Sequence, residues 1–391
     1  MVEAGSPERR WLWPLLVSVV FAHTALNVAR PLISYRTIAV GGDAVAVGLV
    51  TAAYALLPLL MAVPLGRATD RARRTAWIVG LGSAVLAAGS VFLASATGLV
   101  SLALASTVVG AGHLLCMIAG QGLIARFSPP EHLDRDFGWY TAAASLGQLA
   151  GPLISGAILA DASGPDLLPA TSTALWVACA MAVLGTVGIL PLVTLRSPTQ
   201  AGQGSARTVG AREILRGRRM TAALLASLSL LSAVDILTAY LPLIAESRGI
   251  SPMYVGVLLS VRAATSLVSR LCLPWLLARW SRRSLIVAST AVAGLSLALV
   301  AVPGGGPLTL GAVLAAGGFL LGLGQPLTMA EVATAAPEGA RGSALALRIW
   351  GNRLGQVAIP AAAAGVAGSV GAPGALLVSA AVLFAAALTA R

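Results

Sequence analysis

Asp235 is the one acidic side chain that the sequence places well inside a long apolar stretch. A charge at that depth in lipid costs about 2.5 to 3.5 kcal/mol on insertion scales, so it calls for a function. Burial favours the neutral acid and a nearby cation favours the carboxylate. A group moved between two such surroundings therefore takes up and releases one proton per cycle. Asp235 is expected to be that proton carrier. The same residue serves equally as a permanent ion pair, with Arg30 or Arg262 as partner, tying two segments together without titrating. Arg30, Arg262, Arg270, Arg348 and Arg353 all fall inside apolar stretches, and Glu331 at the end of one. Guanidinium groups in excess of carboxylates need an anion, which points to a substrate of carboxylate or phosphate character.

Other polar residues recur at helical spacing. Arg348, Asn352 and Gln356 stand four apart in one stretch, and His113, Met117 and Gln121 in another, so each set lines one face of a helix. These stripes are expected to touch substrate, together with Asn27, Arg30, Arg262 and Gln325, and His113 is a candidate auxiliary proton group. The plainer role of such amides is to bond across helices, for roughly 0.6 kcal/mol each.

The elements that position these groups follow from composition. Of 391 residues 57% are hydrophobic and 10% charged, with a mean hydropathy of +0.88, which implies a chain dissolved in a bilayer. Stretches long enough to cross about 30 Å of hydrocarbon are read at 11–33, 45–65, 75–94, 99–124, 137–159 and 171–194. A second set follows at 220–245, 252–276, 284–302, 308–330, 343–365 and 374–390. Helices are expected, because lipid offers the backbone no partners and the alternation of barrel strands is missing. The fold class is thus all-α integral membrane with twelve spans, the first retained rather than cleaved as a signal peptide.

Arginines cluster in every second connection, and only Arg36 and Arg248 fall on the opposite side. By the positive-inside rule both termini and the central connection are cytoplasmic. The formal charge of +12 follows from this asymmetry and calls for no nucleic-acid partner. All 26 basic residues are arginine, a bias that suggests GC-rich codons and a bacterial inner membrane, and Cys116, Cys179 and Cys272 lie inside spans, so no disulfide framework is expected. No metal-spaced cluster, nucleophile elbow or phosphate-cradling loop is visible, so neither an enzyme nor a cofactor or metal is expected.

An internal repeat runs at a constant offset of 208 residues: Val47-Gly48 maps to Val255-Gly256, Arg71 to Arg279, Gly110 to Gly318, Gly147-Gln148 to Gly355-Gln356 and Pro152 to Pro360. The chain therefore divides into a six-helix bundle at 1–195, a cytoplasmic tether at 196–219 and a second bundle at 220–391. The same offset sets Asp235 opposite Asn27, with Arg30 one turn further on.

Two short motifs carry a family resemblance. Gly138, Gly147, Gly151-Pro152 and Ser155-Gly156 resemble, with one Gly-to-Ser change, the fifth-helix antiporter motif of the major facilitator superfamily. Small residues there let a neighbouring backbone approach closely, and Pro152 bends the helix. Gly66 to Arg74 resembles the loop motif after that family's second helix. The resemblance implies two bundles that rock around a central site, and a monomer exporting a small organic molecule in exchange for protons. Gating roles then fall on Asp70, Arg71 and Arg74 in the loop, and on Gly147, Gly151 and Pro152. The sequence departs from the family at Arg73, where a glycine is usual, at Ala278, where the second loop copy lacks the acid, and at Ser106. That serine stands where proton antiporters of the family carry an arginine four residues before Gly110-Ala111-Gly112. The rival readings are a proton-coupled importer of the same fold and a non-transporting membrane receptor or scaffold.

Overall fold

In the computed structural model, which describes residues 10–129, 132–195, 215, 217–304, 306–336 and 341–390, the described residues form twelve long helices and no strand. They are α1 (Leu12–Ala39), α2 (Ala44–Arg71), α3 (Thr75–Ser95), α4 (Leu99–Phe127), α5 (Leu133–Leu159), α6 (Leu167–Ile189), α7 (Arg218–Ser247), α8 (Pro252–Leu277), α9 (Arg282–Ala301), α10 (Pro307–Ala335), α11 (Arg341–Val370) and α12 (Ala372–Ala390). Eleven are long and apolar enough, by length and composition, to cross a membrane. The remaining one, α11, has the most polar composition of the twelve because it carries Arg348, Asn352, Arg353 and Gln356, all buried.

Half of the helices exceed their apolar stretches by a turn or more, because end residues are polar but still helical. Asp43 starts α2 by accepting from the Ala46 amide (2.9 Å), and Ser281 starts α9 by accepting from Ser284 (3.1 Å). The connection between α11 and α12 is a single Gly371 at φ +77°, a conformation that suits glycine.

Packing follows the internal repeat. In the first half α1 lies on α5 and α6, and α4 on α2 and α3; in the second half α8 lies on α10, and α12 on α7 and α9. The halves meet along α2 with α11, α5 with α8, and α1 with α7. The glycines of α5 explain two of these seams. A Cβ on Gly147 would stand 2.6 Å from the His23 Cβ, and one on Gly151 2.5 Å from the Asn27 Cβ, so α5 sits directly on α1. A Cβ on Gly156 would stand 3.0 Å from the Gly256 Cα, a closeness that brings α5 onto α8. Gly138 has open space around it and takes no part in this contact, unlike the other motif glycines.

Arg36 and Arg248, the exceptions to the arginine asymmetry, close helix ends. Arg36 is buried and donates to the carbonyls of Ala96 (3.2 Å) and Leu168 (3.1 Å), joining the end of α3 to the start of α6. Arg248 donates to Val300 (2.7 Å) and Val302 (3.0 Å) at the end of α9. Each half thus uses an arginine at the end of its first helix to satisfy the orphan carbonyls of its third.

Candidate functional site

The contacts between the halves are unevenly distributed along the helices. Towards the arginine-poor face, the Tyr240 hydroxyl donates to the Ala44 carbonyl (3.0 Å), the Met253 amide to Ala160 (3.2 Å) and Ser260 to Leu149 (2.8 Å). Gly48 packs beneath Pro360 and Ala364. Towards the arginine-rich face, the deepest polar contacts between halves are Arg270 to the Ser145 hydroxyl (3.3 Å) and Arg353 to the Met117 sulfur (3.8 Å). Further towards that face, no hydrogen bond joins the halves among the described residues.

A charged network sits where the contacts thin out. Asp235 lies about 25 Å along α7 from its first residue at 1.5 Å per residue, and only 3% of its side chain is exposed. One carboxylate oxygen is ion-paired with the Arg30 guanidinium of α1, and the other accepts from the Gln356 Nε2 of α11 at 2.6 Å. Gln356 in turn accepts from Arg353 Nη1 (2.9 Å). The partly buried Arg30 thus pairs with the carboxylate directly and the buried Arg353 is linked to it through Gln356, so the network holds two guanidinium groups for one carboxylate and carries an unbalanced positive charge. On its other side the Arg30 guanidinium lies 5.2 Å over the ring of Tyr54 in α2, a cation–π contact. The Tyr54 hydroxyl stands 2.6 Å from His113 Nδ1 of α4. The His23 ring meets His113 edge-on at 5.7 Å and Tyr140 at 6.4 Å, and its Nδ1 donates to the Val19 carbonyl (3.0 Å). The chain of contacts thus runs from α11 through α7, α1 and α2 to α4 and α5.

Of the two expected partners of Asp235, Arg30 is the one in contact. Arg262 is buried with its Nε unpartnered. Asn27, the repeat mate of Asp235, bonds back to its own helix at His23 (2.7 Å). Arg348 donates to the Gln325 Oε1 (2.6 Å), while Asn352, one turn from Gln356, leaves its Oδ1 without a partner. Met117 joins the network through Arg353, whereas Gln121 is exposed. Glu331 is held elsewhere, by Arg219 (2.8 Å) and Arg282 (3.7 Å). Arg74 is exposed, and the side chains of Asp70 and Arg71 lie outside the described residues. Ser106, at the family's arginine position, bonds the Val50 carbonyl of α2 (3.1 Å), and Gly110 lets α4 lie directly against the Tyr54 carbonyl. Tyr54, His23 and Arg353 are absent from the substrate and proton candidates drawn on spacing. His23, Asn27 and Arg30 stand at intervals of four and three, which marks one helical face, whereas no neighbour in sequence singles out Tyr54.

A family model described as Major Facilitator Superfamily matches residues 15–317 and 225–391. The chain belongs to that superfamily. As a member with twelve such helices, it is a multi-pass integral membrane protein. No curated protein matches it in sequence. Among solved structures, it is similar to a mutant of the nucleoside transporter NupG, with a TM-score of 0.79, 16% identity and coverage of 97% of this chain and 99% of that one. A bacterial homologue of the human lysosomal transporter Spinster, inward-facing and occupied, aligns with a TM-score of 0.74 and 17% identity over 99% of this chain and 97% of the other. The peptide transporter POT in complex with sulfate aligns at 0.73 and 18% identity, over 98% and 95%. At these identities the likeness establishes the major facilitator fold.

Proposed function

We propose that the chain is a secondary transporter that couples a small organic molecule to protons by alternating access. In this mechanism residues 1–195 and 220–391 are the moving bundles, 196–219 is their tether, and Asp235 carries the proton. One observation supports it above the rest: the buried carboxylate of Asp235 bridges the halves through Arg30, deep within the helices where contacts between the halves begin to thin out. A rocking motion must strain or part that pair, and a proton on Asp235 removes the charge that holds Arg30. His113 then acts as an auxiliary proton group through Tyr54. Arg353, Arg348, Gln325, Asn352, Gln356, Met117, Asn27, Gln121 and Arg262 are the proposed substrate contacts. Gating falls on Asp70, Arg71, Arg74 and the α5 seam at Gly147, Gly151 and Pro152. The positive-inside rule puts the arginine-rich face and both termini in the cytoplasm of a bacterial inner membrane. Contacts concentrated on the opposite side then support a state open to the cytoplasm, in a protein proposed to work as a monomer.

The α5 motif favours export in exchange for protons. Antiport requires the substrate to compete with the proton for Asp235, as a cation or a hydrogen-bond donor does. The ion pair favours a second mechanism. A substrate anion competes with Asp235 for Arg30, and a carboxylate released from its guanidinium is more readily protonated, so anion and proton bind together and travel together. The peptide transporter of the same fold holds the anion sulfate. Affinity measured on purified protein between about pH 5 and 8, with a panel of small organic anions and cations, separates the two. Antiport predicts weaker binding on acidification and cotransport predicts tighter binding. Loss of that slope and of substrate-driven proton flux in Asp235→Asn proteoliposomes supports the carrier role. Proton coupling retained in that variant refutes it, and a panel that moves no protons at all favours a receptor or scaffold.

A further inference from the structure

At the arginine-rich end of the second half, well away from the charged network, a cavity of about 500 Å³ lies between the starts of α7 and α9 and the end of α12. Its wall is apolar, with Ala222, Ala223 and Ile286, and its rim carries Arg218, Arg219 and Arg283 beside Glu331. Among the described lining residues Glu331 is the only acid, and it is already engaged by Arg219 and Arg282. Arg218 and Arg283 have no acidic partner among the described residues. Arg283 is fixed at the edge by its Nε, which donates to the Ala390 carbonyl (2.8 Å), and this leaves its terminal nitrogens available. The cavity therefore combines a cationic rim with an apolar wall at the level where the helices leave the membrane.

We propose that this cavity binds an anionic phospholipid, with the phosphate on Arg218 and Arg283 and the upper acyl chain along the Ala222 and Ile286 wall. A basic pocket between helices on the arginine-rich side suits such a headgroup. A free phosphate uses the rim alone and leaves the wall in water. The tether that precedes Arg218 has the wrong sign to fill the site, since Arg196, Arg207, Arg212 and Arg216 outweigh its single Glu213. Binding here is independent of transport and is read without any flux.

The test is native mass spectrometry of the full-length, delipidated protein titrated with phosphatidylglycerol, with phosphatidylcholine of the same chains, and with inorganic phosphate. One phosphatidylglycerol is expected to be retained in preference to phosphatidylcholine and to resist millimolar phosphate. Arg218→Gln with Arg283→Gln should weaken it about 30-fold, roughly fivefold for each surface arginine. Arg10→Gln with Arg73→Gln, two exposed arginines elsewhere, should change it less than about twofold. A gel-filtration profile matching the parent confirms that each variant is folded. Unchanged binding in the first pair, an equal loss in the second, or equal retention of phosphatidylcholine overturns the site. Complete displacement by phosphate overturns the lipid as its occupant.

Discussion

Replacing Asp235 by Asn keeps the shape of the side chain and removes the only carboxylate of the network. Arg30, partly buried, and Arg353, buried, are then left without a counter-charge. Breaking one partner of a buried pair costs about 3 to 5 kcal/mol. The low end applies to Arg30, whose side chain is 18% exposed and which keeps its contact with the Tyr54 ring. The Gln356 amide also exchanges a charge-assisted hydrogen bond for a neutral one, a further loss of about 1 kcal/mol. The sum is about 4 kcal/mol. For a bundle melting as a unit of roughly 200 residues, this is a fall in Tm of roughly 8 to 16 °C. Arg30→Gln alone should cost a similar amount by stranding the carboxylate. The double variant strands neither Arg30 nor Asp235, and only Arg353 lacks a counter-charge as it already does in Asp235→Asn, so it should recover at least about 2 kcal/mol relative to the sum of the singles. Thermal melts of detergent-purified protein, monitored by tryptophan fluorescence, measure all four corners of the cycle. Additivity within about 0.5 kcal/mol would refute an energetic pair between Arg30 and Asp235, and with it the proposed mechanism.

Gly151→Val should destabilise by about 1 to 3 kcal/mol or prevent folding, because even a Cβ there meets Asn27, whereas Gly138→Val should be nearly neutral in the same melts. Arg36→Gln should lower stability by about 2 to 3 kcal/mol by orphaning carbonyls of two helices, and Arg248→Gln, which leaves carbonyls of α9 alone, should cost less. Tyr54→Phe keeps the ring over Arg30 and deletes the link to His113, so it should retain fold and substrate affinity while shifting the pH dependence of transport in proteoliposomes. An unshifted profile would remove His113 from the proton route.

The twelve helices and their duplication were legible in the sequence because bilayer thickness and backbone hydrogen bonding leave few alternatives for an apolar chain of this length. The α5 motif was legible for a related reason. Gly147 and Gly151 are small where the backbone of α1 arrives, and spacing along one helix reports that directly. The depth of Asp235 and the excess of arginines could also be read from residue order alone.

Which arginine meets Asp235 could not. Arg30 and Arg262 both lie mid-helix at comparable depth, and the choice rests on how α1 crosses α7, a property of two helices distant in sequence. The offset that pairs Asp235 with Asn27 describes pseudo-symmetric positions, which face one another only if side-chain length and rotation agree. Here Asn27 is held to its own helix beneath Gly151 and the longer Arg30 makes the crossing. Tyr54 belongs to the network because Gly110 lets α4 lie against α2, and Arg353 because it turns onto Gln356, contacts set by packing rather than by period. Residue type and spacing determined what lies within the membrane and roughly how deep, while the crossing of helices far apart in sequence decided which buried charges share a partner.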